Sequence, residues 1–558
     1  MGVAEEVKGK LTEGIAAALN RAMSAGELEF AEIPEFVIEV PKEREHGDFA
    51  TNVAMLLSRY TKLPPRKNAE IIVNYLQLDD LVERTDVAGP GFINFHLKKS
   101  WLYQVLTQVE AQDDKYGWRD LGRGERVQIE FVSANPVGPM NVVNARAAAV
   151  GDTLARLLRA LGYDVTKEYY VNDAGNQARI FGKSIAARYL QQKGQDVPFP
   201  EDGYPADYVI DLAKTLLTEH PELDQLPLEE LQQFCTRWGT DHMVEGQKRD
   251  LAEFGVEFDV WFRERELHEA KAVEKVIEVL GEKGLLYESE GAIWFRSTQF
   301  GDDKDRVLVK SDGNPTYLTP DIAYHWNKYQ RGFDKVIDIL GPDHHGYVGR
   351  MKAAVQALGY SEDSLEIIIL QLVNLLRDGE KVRMSKRRGE FVTMDELISE
   401  VGKDAARYFF LMRSPESHLD FDLSLAVEQS SDNPVYYVQY AHARICSILR
   451  QAEEQEVQAR PYPGIDQLRF EEDVELELLR RLADFSEEIE LAGTRREPHR
   501  IARYVHEVAS LFHNFYTHCR VLGVEPEIQA SRLALADAVR VVLRNGLYLL
   551  GIDAPERM

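Results

Sequence analysis

The sequence predicts an α/β protein built on a parallel sheet, with a small α+β domain before it and an all-α bundle after it. Three observations predict this. "RVQIEFVSA", "NARAAAVGDTLARLLRALG" and "YDVTKEYYVND" read as strand, helix and strand in direct succession. The alternation returns at "KVIDILG", "MKAAVQALG" and "LEIIILQLVNLL". After about Asp422 no strong strand pattern remains, and helical patterns follow to the end. A strand–helix–strand unit implies a right-handed crossover between parallel neighbours. The middle domain is therefore expected to be Rossmann-like.

Each element has a local reason. "MGVAEEVKGKLTEGIAAALNRAM" reads as an amphipathic helix, because it lacks the basic start and apolar block of a signal peptide. Glu6 stands where a myristoylation motif needs Ser or Thr, which argues against lipidation. In residues 1–110, "FAEIPEFVIEVPKE" and "DVAGPGFINFHL" are strand-like and "AEIIVNYL" is helical, with a turn at Gly89, Pro90 and Gly91. The polar run from Ala111 to Arg126 reads as a linker opening a second domain, 111–422. Its first helix places Val150, Leu154, Leu157, Leu158 and Leu161 on one face and stops at Gly162. Residues 180–290 are acidic and mostly helical, as an insertion would be. Residues 423–558 hold four helical candidates: "NPVYYVQYAHARICSILRQAEEQ", "EDVELELLRRLADFSEEIELA", "PHRIARYVHEVASLFHNFYTHCRVL" and "SRLALADAVRVVLRNGLYLLGI". They predict a bundle.

Composition narrows the function. At 558 residues, 44% hydrophobic and 28% charged, the chain is globular and too long for one core. It has no apolar run long enough for a membrane span. A net charge of −27 argues against non-specific nucleic-acid binding, although "RDGEKVRMSKRRGE" and "GTRREPHRIAR" are local basic islands. Cys235, Cys446 and Cys519 form no C-x-x-C pair. They read as free buried thiols of a reducing cytoplasm rather than zinc ligands.

Two segments fit a nucleotide site. In open α/β sheets, ligands bind beyond the carboxyl ends of strands, near helix N-termini. "SANPVGPMNVVNARAAAVGD" is a strand end, a Pro/Gly turn and an alanine-rich helix. In "KVRMSKRRGEFVTMDEL", Lys386 could neutralise a polyphosphate as charge develops on it, although alone the cluster is an ordinary basic surface. Tyr317 and Asp321 of "YLTPD" are spaced to share a helix face, although alone the segment is an ordinary helix start. The vicinal His344 and His345 lack further ligands, so no resident metal is expected.

The two segments, in this order on an α/β domain followed by a bundle, resemble class I aminoacyl-tRNA synthetases. "EFVSANPVGP", "KEYYVNDAGNQ", "GDDKDRVLVKSDGNPTYLTPDIAYH", "GPDHHGYVGRMKAA", "RMSKRRG", "NPVYYVQYAHARI", "HGDFATNVA", "AGPGFINF" and the terminal "APERM" resemble the bacterial arginyl type over essentially the whole chain. The resemblance implies an arginine–tRNA ligase with ATP and Mg²⁺ as substrate, tRNA(Arg) and L-arginine as partners, no DNA and no membrane, acting as a cytoplasmic monomer. It implies an arginine pocket of Glu130, Asn135, Tyr317, Asp321 and Asp343. It implies an ATP site of Gly138, Pro139, Asn141, Val143, Asn144, His344, Met384 and Lys386, with Lys386, Ser385, Asn141 and Asn144 in the catalytic step. The first domain would meet the outer corner of tRNA and the bundle its anticodon. Tyr436, Tyr440, Arg444, Phe512, Phe515 and Tyr516 would be contacts, because aromatics stack on splayed bases. Aromatics at helical spacing are equally read as core.

The sequence departs from the family at its His-x-Gly-His signature, here Asn141-Val142-Val143-Asn144. Asn keeps an NH₂ donor but not a positive charge. Val143 adds a branched side chain where a purine is expected, an overpacking worth about 1–3 kcal/mol. Asn374 stands where relatives carry His. A second reading follows: a paralogue that binds tRNA or arginine but adenylates weakly, in a regulatory role.

Overall fold

The computed structural model describes residues 2–382 and 392–558. Its centre is a five-stranded sheet in the order Leu365–Ile369, Lys335–Leu340, Arg126–Glu130, Asp164–Val171, Val260–Arg263, with every neighbouring pair parallel. Runs such as "KVIDIL" and "LEIII" suit a sheet covered on both faces, where both sets of side chains are buried. The helix Val142–Ala160 crosses from the first strand to the second. Gly151 lets it lie close, since a Cβ there would meet the Phe131 ring at 2.2 Å.

"LEIIILQLVNLL" is two strands rather than one. Leu365–Ile369 edges the main sheet. Val373–Arg377 leaves it and pairs with Leu419–Asp422 and Glu380–Lys381 in a second, three-stranded sheet. The break falls where the Arg146 guanidinium takes the Gln371 carbonyl at 2.7 Å and the carbonyls of Ser414 and Ser417 at 3.0 and 2.9 Å. Within 180–290, the helices Asp207–Glu219 and Leu228–Glu253 pack with Asn176–Gln192 around their own core. The same stretch also holds Val260–Arg263, the fifth strand of the main sheet. Four residues without a bounding turn carry too little pattern to read as a strand.

In the N-terminal region, Val3–Ser24 is helical, and a four-stranded antiparallel sheet runs Ile38–Glu39, Phe49–Thr51, Phe92–Leu97, Val82–Ala88. "FAEIPEFVIEVPKE" contributes only two strand residues. Pro34 and Pro41 offer no ladder donor, and Val37 and Val40 stay exposed. The segment 111–126 is docked. Tyr116 is buried with its hydroxyl donating to the Leu482 carbonyl at 2.9 Å, and Arg460 holds Asp113 at 2.6 Å. After residue 433 the long helices are Pro434–Glu454, Asp473–Ala483, Phe485–Thr494, His499–His518 and Pro526–Leu550. The second candidate is thus split in two at Asp484. The chain then runs back along the first of these helices, whose His442 and Arg450 donate to the carbonyls of Pro555 and Glu556.

Candidate active site

The floor of the site is a row of carboxylates. Three adjacent strands each carry one acid, and the register sets Asp338 beside Glu130 and Glu130 beside Glu168. All three are buried. Helix Leu318–Gln330 and the Arg331 that caps its end cover them and supply the cations. Lys328 Nζ lies 2.6 Å from Glu130 and 2.8 Å from Asp338, and Arg331 forks onto Glu168 at 2.6 and 2.8 Å. Burial alone would lower the Lys328 pKa, but Asp338 and Glu130 outweigh it and hold it above its ordinary value. Burial would likewise raise Asp338, but Lys328 and His325 hold it below its usual range.

Asp321 lies one turn from His325 on the same helix, and its charge is not matched. His325 joins its Nδ1 to the Asp321 carbonyl at 2.8 Å and its Nε2 to Asp338 at 2.7 Å. The Asp321 carboxyl itself is crowded by protein yet still touched by solvent. Burial first, and the carboxylates of Glu264, Glu130 and Asp338 next, push it up to about 7, with His325 opposing. Burial also raises Glu264, with Asp173 adding to it and His268 opposing. The phenols of Tyr170 and Tyr347 stand in the same negative field. Two under-compensated acids with phenols beside them suit a guanidinium, which presents five donors in a flat fork.

The chain leaves Glu130 through a strained turn. Val132 and Ser133 have φ of 69° and 38°, a region that β-branched residues avoid. Ser133 Oγ donates to Glu130 at 2.9 Å and accepts the Tyr170 amide at 3.1 Å, while the Ala134 amide donates to the Tyr169 hydroxyl at 3.0 Å. The turn therefore orients Glu130. Asn135 is exposed and donates to Gln177 at 2.8 Å. Gly138 and Pro139 are half-buried beside Tyr208, whose hydroxyl donates to the Val137 carbonyl at 2.6 Å.

The helix that follows begins with a capping box made by the two asparagines. Asn141 Oδ1 accepts the amides of Val143 at 2.9 Å and Asn144 at 3.2 Å, and Asn144 Oδ1 accepts the amide of Asn141 at 3.0 Å. Both oxygens are thus spent on the backbone, and among the described residues neither NH₂ group has an acceptor. The positive end of the helix dipole and two amide donors occupy one spot. Val143 is only partly buried in the first turn. Thr393 pairs with Asn141, and the Met394 amide donates to the Met140 carbonyl at 2.9 Å. Thr393 caps the helix Met394–Val401, so a second helix N-terminus adjoins the first. Met384, Ser385 and Lys386 lie outside the described residues.

Tyr317 is 70% exposed at the rim and its hydroxyl accepts from Arg350 at 2.7 Å. The structure does not bring Asp343 into the acid cluster. Its side chain is 83% exposed and lies 3.7 Å from His344. The reason is local, since both residues sit in a 3-10 turn beyond the strand end. Asn374 donates to Asp420 at 2.8 Å.

Three family models cover the chain. Residues 105–414 match "tRNA synthetases class I (R), catalytic domain", residues 9–97 match "Arginyl tRNA synthetase N terminal domain", and residues 438–558 match "DALR anticodon binding domain". The chain belongs to the arginyl-tRNA synthetase family. It is 51% identical to the arginine–tRNA ligase of Desulforamulus reducens over 566 residues, and 50% identical to that of Heliobacterium modesticaldum over 568, covering all of each chain. The structure of Thermus thermophilus arginyl-tRNA synthetase matches 99% of this chain and 100% of its own with a TM-score of 0.75, at 22% identity. That likeness bears on the fold.

In this synthetase-family chain the bundle carries a stacking shelf. The rings of Tyr436 and Tyr440 lie parallel at 6.1 Å, and Arg444 lies 4.9 Å from the Tyr440 ring and 5.0 Å from that of Tyr516. Phe512 and Phe515 are fully buried in the bundle core and present no face to a base, which corrects their reading as contacts. Sequence reasoning missed Lys328, His325, Asp338 and Glu264. The signal was present for three of them. An acid interrupts the apolar strand "KVIDILG", and Asp321, His325 and Lys328 recur at helical spacing on a helix that is otherwise core. Glu264, just past the unread fifth strand, had no such signal.

Proposed function

We propose that the chain attaches L-arginine to tRNA(Arg) through an arginyl-adenylate. The observation that carries this reading is the acid cluster of Glu130, Asp321 and Glu264, in a chain that also has an asparagine-capped helix after Glu130 and matches arginine–tRNA ligases end to end. Asp321 and Glu264 receive the substrate guanidinium, Tyr317 closes the rim, and Glu130 and Asn135 take the amino-acid end. ATP enters as its Mg²⁺ complex. Asn141 and Asn144 donate their NH₂ groups to its phosphates, Gly138, Pro139, Val143, His344 and Met384 border the nucleotide, and Lys386 and Ser385 meet the pyrophosphate side. The arginine carboxylate attacks the α-phosphorus in line and pyrophosphate leaves. A hydroxyl of the ribose at the tRNA 3′ end then attacks the acyl carbon and AMP leaves. No protein nucleophile is used, so catalysis is positioning and electrostatics.

The shelf of Tyr436, Tyr440, Arg444 and Tyr516 receives unstacked tRNA bases. We place the enzyme in the cytoplasm, a reading supported by three buried free cysteines, and take it as a monomer. The test is arginine-dependent exchange of labelled pyrophosphate into ATP, with and without tRNA. Exchange that requires arginine supports the reading, and none under either condition sinks it.

A further inference from the structure

Glu264 stands between two arginines in sequence, Arg263 and Arg265. An acid that binds a cationic substrate is quenched when a cation of the chain pairs with it first. The fold turns both arginines toward a second pair of acids. Arg263 ends the strand Val260–Arg263 opposite Val171, and Asp173 lies two residues beyond that partner. Arg263 Nη1 lies 3.1 Å from Asp173 and also pairs with Asp241. Arg265 places its Nε 3.3 Å from Asp173 and its Nη2 3.2 Å from Asp241. The Arg265 amide donates to Asp173 Oδ1 at 3.1 Å, in the first turn of the short helix Glu264–Glu269, where amides lack a partner within the helix.

Two guanidiniums and two carboxylates thus close a square whose charges cancel. Asp173 follows the strand Asp164–Val171, and Asp241 comes from Leu228–Glu253 of the helical insertion. Asp173 is buried and Asp241 is partly exposed. Burial alone would lower the Arg263 pKa, but Asp241 and Asp173 outweigh it. The square lies within electrostatic reach of Glu264, since the Asp173 charge adds to the field on that acid. His268 lies 3.7 Å from Glu264 on the same short helix. We infer that Asp241 is a positioning residue for the arginine pocket: with Asp173 it confines Arg263 and Arg265, and so leaves Glu264 open to the substrate guanidinium. The insertion thereby sets the charge of a pocket it does not line. The inference rests on the proposed assignment of Glu264 to the guanidinium.

The experiment reads arginine affinity of the full-length protein, by calorimetric titration and as the arginine KM in tRNA charging. Affinity is expected to follow the net charge of the square. Asp241→Asn leaves one cation in excess and should weaken arginine by about fivefold or more. Arg265→Gln leaves one acid in excess and should tighten it by about twofold or more. The double variant restores neutrality and should return to within twofold of the unmodified protein, while the KM for ATP holds within twofold throughout. Side chains needed only for folding would weaken arginine in both single variants and at least as much in the double. That order overturns the inference, as does an Asp241→Asn protein with unchanged affinity. If Asp241→Asn does not fold, Arg265→Gln decides: tighter arginine supports the inference, and unchanged or weaker arginine overturns it. The titration reads binding without catalysis, so a protein that binds arginine in the expected order but charges no tRNA supports the inference and removes the ligase reading alone. One that binds no arginine removes both.

Discussion

Replacing Asp321 by Asn removes a carboxyl whose proton is poised near neutrality. With its pKa raised to about 7 by burial and then by Glu264, Glu130 and Asp338, Asp321 is about one-tenth ionised at pH 6 and about nine-tenths at pH 8. A guanidinium pairs with the ionised form, so arginine affinity in the unmodified protein should rise about tenfold over that interval. A hydrogen bond to a charged group contributes about 1.5–3 kcal/mol. Asp321→Asn should therefore weaken arginine binding by roughly 10- to 150-fold at pH 8 and leave a much flatter pH profile. Stability should move the other way. The folded pKa lies above the ordinary 3.8, so stability is lost as pH rises from 3.8 through 7. The Asn variant escapes that loss. A shift of about three units is worth at most about 4 kcal/mol, and contact with solvent cuts this to about 1–2 kcal/mol. The variant should thus melt higher than its parent at pH 8, with the gap closing toward pH 4. Calorimetric titration with arginine from pH 6 to 8.5, with melting curves at the same values, measures both. An Asn variant that keeps the parent's pH slope would refute the assignment of the titrating group.

The other outcomes follow from the same contacts. Lys328→Met leaves Glu130 and Asp338 buried without their shared cation and should cost about 3–5 kcal/mol in denaturant unfolding; a loss below 1 kcal/mol would contradict the role given to the carboxylate row. Asn141→His with Val143→Gly and Asn144→His breaks the capping box and should cost about 0.5–2 kcal/mol without raising kcat; a higher kcat would show that the asparagines impair the native enzyme. Lys386→Ala should lower pyrophosphate exchange about 10²–10³-fold with arginine affinity within twofold, and equal losses would contradict its placement on the phosphate side. Arg444→Ala should weaken tRNA binding by about 1–3 kcal/mol in a filter assay while arginine binding holds; unchanged tRNA binding would remove the shelf.

The sheet was legible because its strands read as apolar runs separated by a helix with a clear apolar face, as in "RVQIEFV" followed by Val150 to Leu161. The short strands were not. Val260–Arg263 and Phe49–Thr51 are held by their neighbours' ladders rather than by their own pattern. Asp321 and Glu130 stand in motifs, whereas Lys328 carries only its helical spacing, because a lysine on a helix reads as solvated until a strand places two acids beneath it. The asparagine signature shows the converse. From sequence, Asn141 and Asn144 are lost histidines. In the fold they are also a helix cap, which gives both residues a structural reason to be asparagine.

The asparagine-capped helix Val142–Ala160 serves a working ligase. The direct measurement is the transfer of radiolabelled arginine to tRNA(Arg) by the unmodified protein with Mg²⁺ and ATP, omitting each component in turn. Acid-precipitable arginyl-tRNA is expected only when arginine, ATP and tRNA are all present. Intact tRNA and arginine binding without any labelled tRNA would contradict it.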